Sequence, residues 1–95
     1  MATYILLTSL TDHGAETIKE HPERIKAVNT EMEAMGMQVR SQFAVLGPFD
    51  FVSIVEAPDL KTVLRASTEL SSRGSVKVQT LPAIPIDEFI AIFKG

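Results

Sequence analysis

Two helix-periodic stretches of this chain each stop at a glycine, Gly36 and Gly74, and each is followed by a segment in which valine alternates with a cation and glutamine. Glycine is the residue of choice for a left-handed helix end, and period-two alternation is the mark of a strand, so the pair reads as two helix-to-strand units. The first stretch opens on the N-cap types Thr11 and Asp12 and carries Ile18, Ile25, Val28, Met32 and Met35 near the helical period. Pro22 lies inside it and has no N–H to give, so the helix should break between Glu20 and Pro22, with His21 capping the second piece. The second stretch has Asp59 as its cap and Leu60, Val63, Leu64, Ser67 and Leu70 on one face.

The remaining segments complete the pattern. Thr3 to Ser9 is a β-rich apolar run. Residues 39 to 56 read as a hairpin, turning at Gly47-Pro48-Phe49-Asp50 and ended by Ala57-Pro58. Val76, Val78 and Thr80 alternate with Lys77, Gln79 and Leu81, and Pro82 should stop that strand. A tail places Ile86, Phe89, Ile90 and Phe93 at helical spacing. The order is βαββαβ plus a C-terminal helix. With right-handed crossovers it predicts an α+β, ferredoxin-like domain over residues 1–95: a four-stranded antiparallel sheet with both main helices on one face.

That arrangement leaves the other face of the sheet uncovered. A chain of 95 residues buries only about 60 to 65% of its unfolded surface, so further burial points to a partner. Alternation predicts Ile5, Leu7, Val39, Phe43, Val52, Ile54, Val76 and Val78 beneath the helices. Tyr4, Leu6, Thr8, Arg40, Gln42, Leu46, Phe51, Ser53, Val55, Lys77, Gln79 and Leu81 then fall on the open face. So mixed a patch suits a sheet-to-sheet homodimer with a polar rim. It also suits two sheets enclosing a small amphipathic cavity, in which Tyr4, Arg40, Gln42, Phe51 and Gln79 would be the ligand-binding residues. On this reading Phe51→Asp should yield monomers.

Candidate chemistry is sparse. Asp50 reads first as a turn residue whose carboxylate accepts backbone N–H groups; as a catalytic group it would act with Arg40 and Ser53 on a small organic substrate. His13, Glu16 and Glu20 share a side of the first helix but lack tight ligand spacing, so no metal and no other cofactor is expected. Cysteine is absent, which removes disulfides and thiol chemistry. Phe49, Phe51, Val52 and Tyr4 partly imitate an RNA-recognition module, but Leu46 stands where a basic residue is expected, Asp50 would face phosphate and the net charge is −3, which opposes nucleic-acid binding. The first residues have no basic leader pattern and the apolar runs are too short to span a bilayer, so the chain is expected to be cytoplasmic, with no membrane partner.

Several motifs together resemble the GYD-domain family: Leu46-Gly47-Pro48-Phe49-Asp50-Phe51-Val52, Val55-Glu56-Ala57-Pro58-Asp59, Ser72-Arg73-Gly74 and Leu81-Pro82-Ala83-Ile84-Pro85, with Leu10-Thr11-Asp12, Gly14 and Pro22-Glu23-Arg24. The family hairpin normally reads Gly-x-Tyr-Asp; here Phe49 replaces the tyrosine, so any chemistry of a phenolic hydroxyl is absent from this member. These are small bacterial and archaeal proteins of unassigned role that look like relatives of the dimeric α+β barrel proteins. The resemblance implies homodimers or larger rings and assigns no catalytic residue. It leans away from an enzyme, the alternative being a small cofactor-independent one. In dimeric-barrel relatives a histidine can hold haem, but His13 and His21 do not lie on a strand, so haem is not expected.

Overall fold

The computed structural model describes residues 1–94. It runs β1 (Ala2–Leu10), α1 (Asp12–Glu20), α2 (Arg24–Ala34), β2 (Gln38–Ala44), β3 (Phe51–Ala57), α3 (Leu60–Ser72), β4 (Val76–Ala83) and α4 (Ile86–Lys94). The strands pair antiparallel in the order β2-β3-β1-β4, the ferredoxin-like arrangement expected from the element order.

The local devices explain the boundaries. The Thr11 hydroxyl accepts the Gly14 N–H at 3.1 Å and starts α1. Asp59 does the same for α3, accepting from Thr62 N at 2.9 Å. Pro22 separates α1 from α2 as its lost donor requires, but His21 is the C-cap of α1, its N–H given to Thr17 O, and α2 begins with no side-chain cap. β4 runs past Pro82 to Ala83, because it is an edge strand and can lose a donor on its unpaired side. β2 stops at Ala44, short of the expected Leu46, and Gly47 turns the following loop at φ +132°.

Residues directly opposite in an antiparallel pair share a face, so the registers fix the two surfaces. Tyr4 lies opposite Val55, and Leu6 lies opposite Ser53 on one side and Thr80 on the other. These residues face the helices. Tyr4, Leu6, Val55 and Ala57 form the core with Val63, Ala66 and Leu70 of α3, Met32 of α2 and Met37. Ile5, between Ile54 and Leu81, and Leu7, between Val52 and Gln79, lie on the open face.

The expected phase is thus inverted in β1 and β3: Tyr4, Leu6, Thr8, Phe51, Ser53 and Val55 belong to the helix side, and Ile5, Leu7, Val52 and Ile54 to the open side. Both strands are apolar on both faces, so alternation carries no sign there. In β2 the register slips between Val39 and Ser41. Arg40 is the additional residue of this bulge, and the slip brings Gln42 to the helix side opposite Ser53 and Phe43 to the open side opposite Val52. Val39, Arg40 and the β4 residues lie as the alternation predicts. α3 is also turned from its expected stripe, burying Val63, Ala66 and Leu70 and leaving Leu60 and Leu64 exposed.

α4 stands apart. None of its residues is buried, and it forms no packed interface with another described element. The radius of gyration is 14.4 Å, against about 12.4 Å for a compact domain of this length.

Candidate functional site

Two places leave apolar side chains without full cover. The first is the open sheet face. Ile5, Leu7, Val52 and Ile54 occupy its middle, with Phe43 on β2 and Leu81 on β4 beside them, 57% and 45% exposed. The polar residues lie around this centre. At one corner Arg40 donates to Glu56 Oε2 at 3.1 Å, and Lys77 sits opposite Ser9 on the other edge. An apolar centre within a polar rim is the anatomy of a protein interface. α4 adds Ile86, Phe89, Ile90 and Phe93 on a helix with no cover of its own, the Phe89 and Phe93 rings 5.3 Å apart.

The second lies on the other side of the sheet, beneath the helices. Arg73, just after α3, reaches Glu31 on α2 at 2.6 Å and ties the two helices together. Between the helices and the sheet is a cavity of about 120 Å³, floored by Leu6, Phe51 and Val78 and roofed by Ile25, Val28 and Leu70. Its polar wall is a relay: Gln42 Nε2 donates to Asn29 Oδ1 at 3.2 Å and to Ser53 Oγ at 3.1 Å, and Asn29 Nδ2 donates back to Gln42 Oε1 at 2.7 Å.

The expected site residues are divided between these surfaces. Gln42, Phe51 and Ser53 line the helix-side cavity, Tyr4 is in the core, and Arg40 and Gln79 are on the open face. Arg40, Asp50 and Ser53 do not converge: Arg40 is engaged by Glu56 on one face, Ser53 is buried on the other, and the Asp50 carboxylate in the hairpin loop accepts the Leu10 N–H at 2.7 Å. Phe51, proposed above for an assembly-breaking charge, is not on the open face; Ile54 is. Among the described residues no group of His, Asp and Glu is placed to hold a metal ion. Asn29 went unnoticed in the sequence; its signal is an amide directly beside Val28 in the apolar stripe of α2.

The hairpin loop explains the motif that resembled a family. Gly47 has φ +132°, a backbone closed to other residues, and Asp50 holds Leu10 while its own N–H donates to Thr8 O at 2.8 Å. The GYD domain profile matches residues 4–93. The chain belongs to the GYD domain family. Within this family the Gly and Asp of the motif are architectural in this chain, serving a turn and a strand end. A protein of Thermus thermophilus named glutamine synthetase and cystathionine beta-lyase binding protein is 57% identical over 95 residues, covering 99% of this chain and 100% of the relative. The crystal structure of TTHA0845, also from Thermus thermophilus, superposes with a TM-score of 0.58 at 23% identity, covering 90% of this GYD-domain chain and 95% of that one; the likeness is one of fold.

Proposed function

We propose that this GYD-domain protein is a non-catalytic, cytoplasmic binding protein that works as a homo-oligomer and docks onto metabolic enzymes. The observation that carries the reading is the uncovered apolar centre of the sheet together with the uncovered stripe of α4. Contiguous apolar surface of this kind is seldom left in water. A second copy offers cover for both, because a two-fold pair makes every contact twice, so that whatever one chain places on its partner's sheet the partner places on the first chain's sheet. In that assembly the sheets pack through Ile5, Leu7, Val52 and Ile54, with Arg40–Glu56 and Lys77 at the rim.

The enzyme partners follow from the relative that shares 57% identity along its whole length and is named for binding glutamine synthetase and cystathionine beta-lyase. At that identity the same class of partner is the natural proposal for this chain. The test is surface plasmon resonance with the purified protein immobilised and purified glutamine synthetase and cystathionine beta-lyase as analytes. Saturable binding of one or both supports the reading. Absence of binding to either, at micromolar enzyme, contradicts it.

A further inference from the structure

The cavity beneath the helices lies inside one subunit and is separate from the open face. We infer that it is a binding site for a compact apolar molecule, the size of a single six-membered ring, that carries one neutral oxygen head. Size sets the upper limit: about 120 Å³ is slightly below the roughly 150 Å³ of an engineered cavity that admits benzene. The walls set the body of the ligand, since Leu6, Ile25, Val28, Leu70 and Val78 offer only hydrocarbon.

The relay sets the head. Both N–H groups of the Gln42 amide are committed, one to Asn29 and one to Ser53. Ser53 is 3% exposed and accepts from Gln42, so within the relay its own proton is uncommitted. Asn29 uses one N–H and receives one bond at its Oδ1, leaving a donor and a lone pair. A hydroxyl or carbonyl oxygen entering the cavity is therefore met by donors, and a hydroxyl proton finds an acceptor. Each of these groups already has a partner inside the relay, so an entering oxygen takes up only its spare donor and acceptor capacity. A carboxylate is disfavoured. The relay consists of neutral groups only; of the two arginines on the lining, Arg73 is held by Glu31 and Arg24 is exposed, so an anion at the relay loses its water without a cation among the groups that meet it. Arg73, which lines the cavity, ties α3 to Glu31 of α2 through a partly exposed ion pair, a kind of contact that holds weakly.

The test is an amide-resolved NMR titration of the whole protein with three probes of one size: phenol, toluene and benzoate. The expected result is saturable binding of phenol with shifts at Leu6, Ser53 and Val78, toluene weaker by roughly three- to tenfold, and benzoate weaker still. Ser53→Ala, which leaves only the Asn29 amide to meet the oxygen, should narrow the gap between phenol and toluene by weakening phenol; an unchanged gap overturns the assignment of Ser53. If that variant fails to fold, the ranking of the three probes on the native chain decides alone. Equal affinity for phenol and toluene, tighter binding of benzoate, shifts confined to the open face or α4, or no binding at millimolar probe each overturn the assignment.

Discussion

The carboxylate of Asp50 accepts the backbone N–H of Leu10 at 2.7 Å, so the loop of the hairpin holds the last residue of β1 from 40 positions away in the chain. The Asp50 N–H closes the same junction on Thr8 O at 2.8 Å, and Val45 donates to Asp50 O at 2.9 Å. Bonds from backbone N–H to an ionised group are stronger than neutral ones. Replacing Asp50 by Ala should therefore lower stability by about 1–3 kcal/mol in urea denaturation. The oligomeric state should not change, because the junction is away from the open sheet face.

A second junction sits at the start of α1. Thr11 donates its N–H to Ser75 O at 3.0 Å and its hydroxyl to Gly74 O at 2.8 Å, which draws α1 down onto the link into β4. Gly14 is in that approach: a Cβ there would lie 2.0 Å from Ser75 O, a backbone atom that cannot swing aside. Gly14→Ala should cost about 1–3 kcal/mol or more, as overpacking does. Gly74→Ala, where a Cβ meets nothing, should cost only its backbone strain at φ +79°, about 1 kcal/mol. Comparing the two variants by thermal melts separates crowding from strain.

Asp59 gives the pH dependence. The Thr62 backbone N–H and then the Thr62 hydroxyl, at 2.9 and 2.8 Å, hold its carboxylate below the usual aspartate range, with Lys61 adding to them and slight desolvation opposing. The folded value is below the unfolded one, so the contribution of this cap is complete above the ordinary aspartate range and is lost as pH falls through the lowered folded value. A carboxyl-detected NMR titration should place the midpoint of Asp59 below that of a reference peptide. In Asp59→Asn the melting temperature should fall less between neutral pH and about pH 3 than in the parent chain.

Element order was legible in the sequence because it rests on local chemistry: caps at Thr11 and Asp59, stops at Gly36 and Gly74, a break at Pro22. Which way each strand faces was not. Tyr4-Ile5-Leu6-Leu7 and Phe51-Val52-Ser53-Ile54-Val55 are apolar at both odd and even positions, and the polar residue in the second run, Ser53, is buried because Gln42 bonds to it. The bulge at Arg40 shifts β2 by one residue, a change that flips every side chain after it and leaves no mark in the residue types. The candidate site inherited these errors, since Gln42 and Phe51 could be placed on one surface with Arg40 and Gln79 only by ignoring the bulge and choosing the wrong phase.

The stripe of α4 yields a separate expectation. Its residues are unburied, so Phe89→Asp should leave the melting behaviour of an isolated subunit within about 0.5 kcal/mol of the parent, as surface substitutions do. In the assembly the same change places a charge against apolar surface. Dissociation on dilution, followed by light scattering, should begin at a higher protein concentration than in the parent chain.

The central claim is that a second copy covers the open sheet face, and sedimentation equilibrium of the parent chain beside Ile54→Asp tests it most directly. Ile54 lies in the middle of that face, next to Ile5, and outside the helix-side core. An unpaired charge enclosed there would cost about 3–5 kcal/mol. The expected result is a parent mass at a multiple of the 10.4 kDa chain, and a folded variant, by circular dichroism, at the mass of one chain. A parent that sediments as a single chain at micromolar concentration, or a folded variant that keeps the parent's mass, would contradict it.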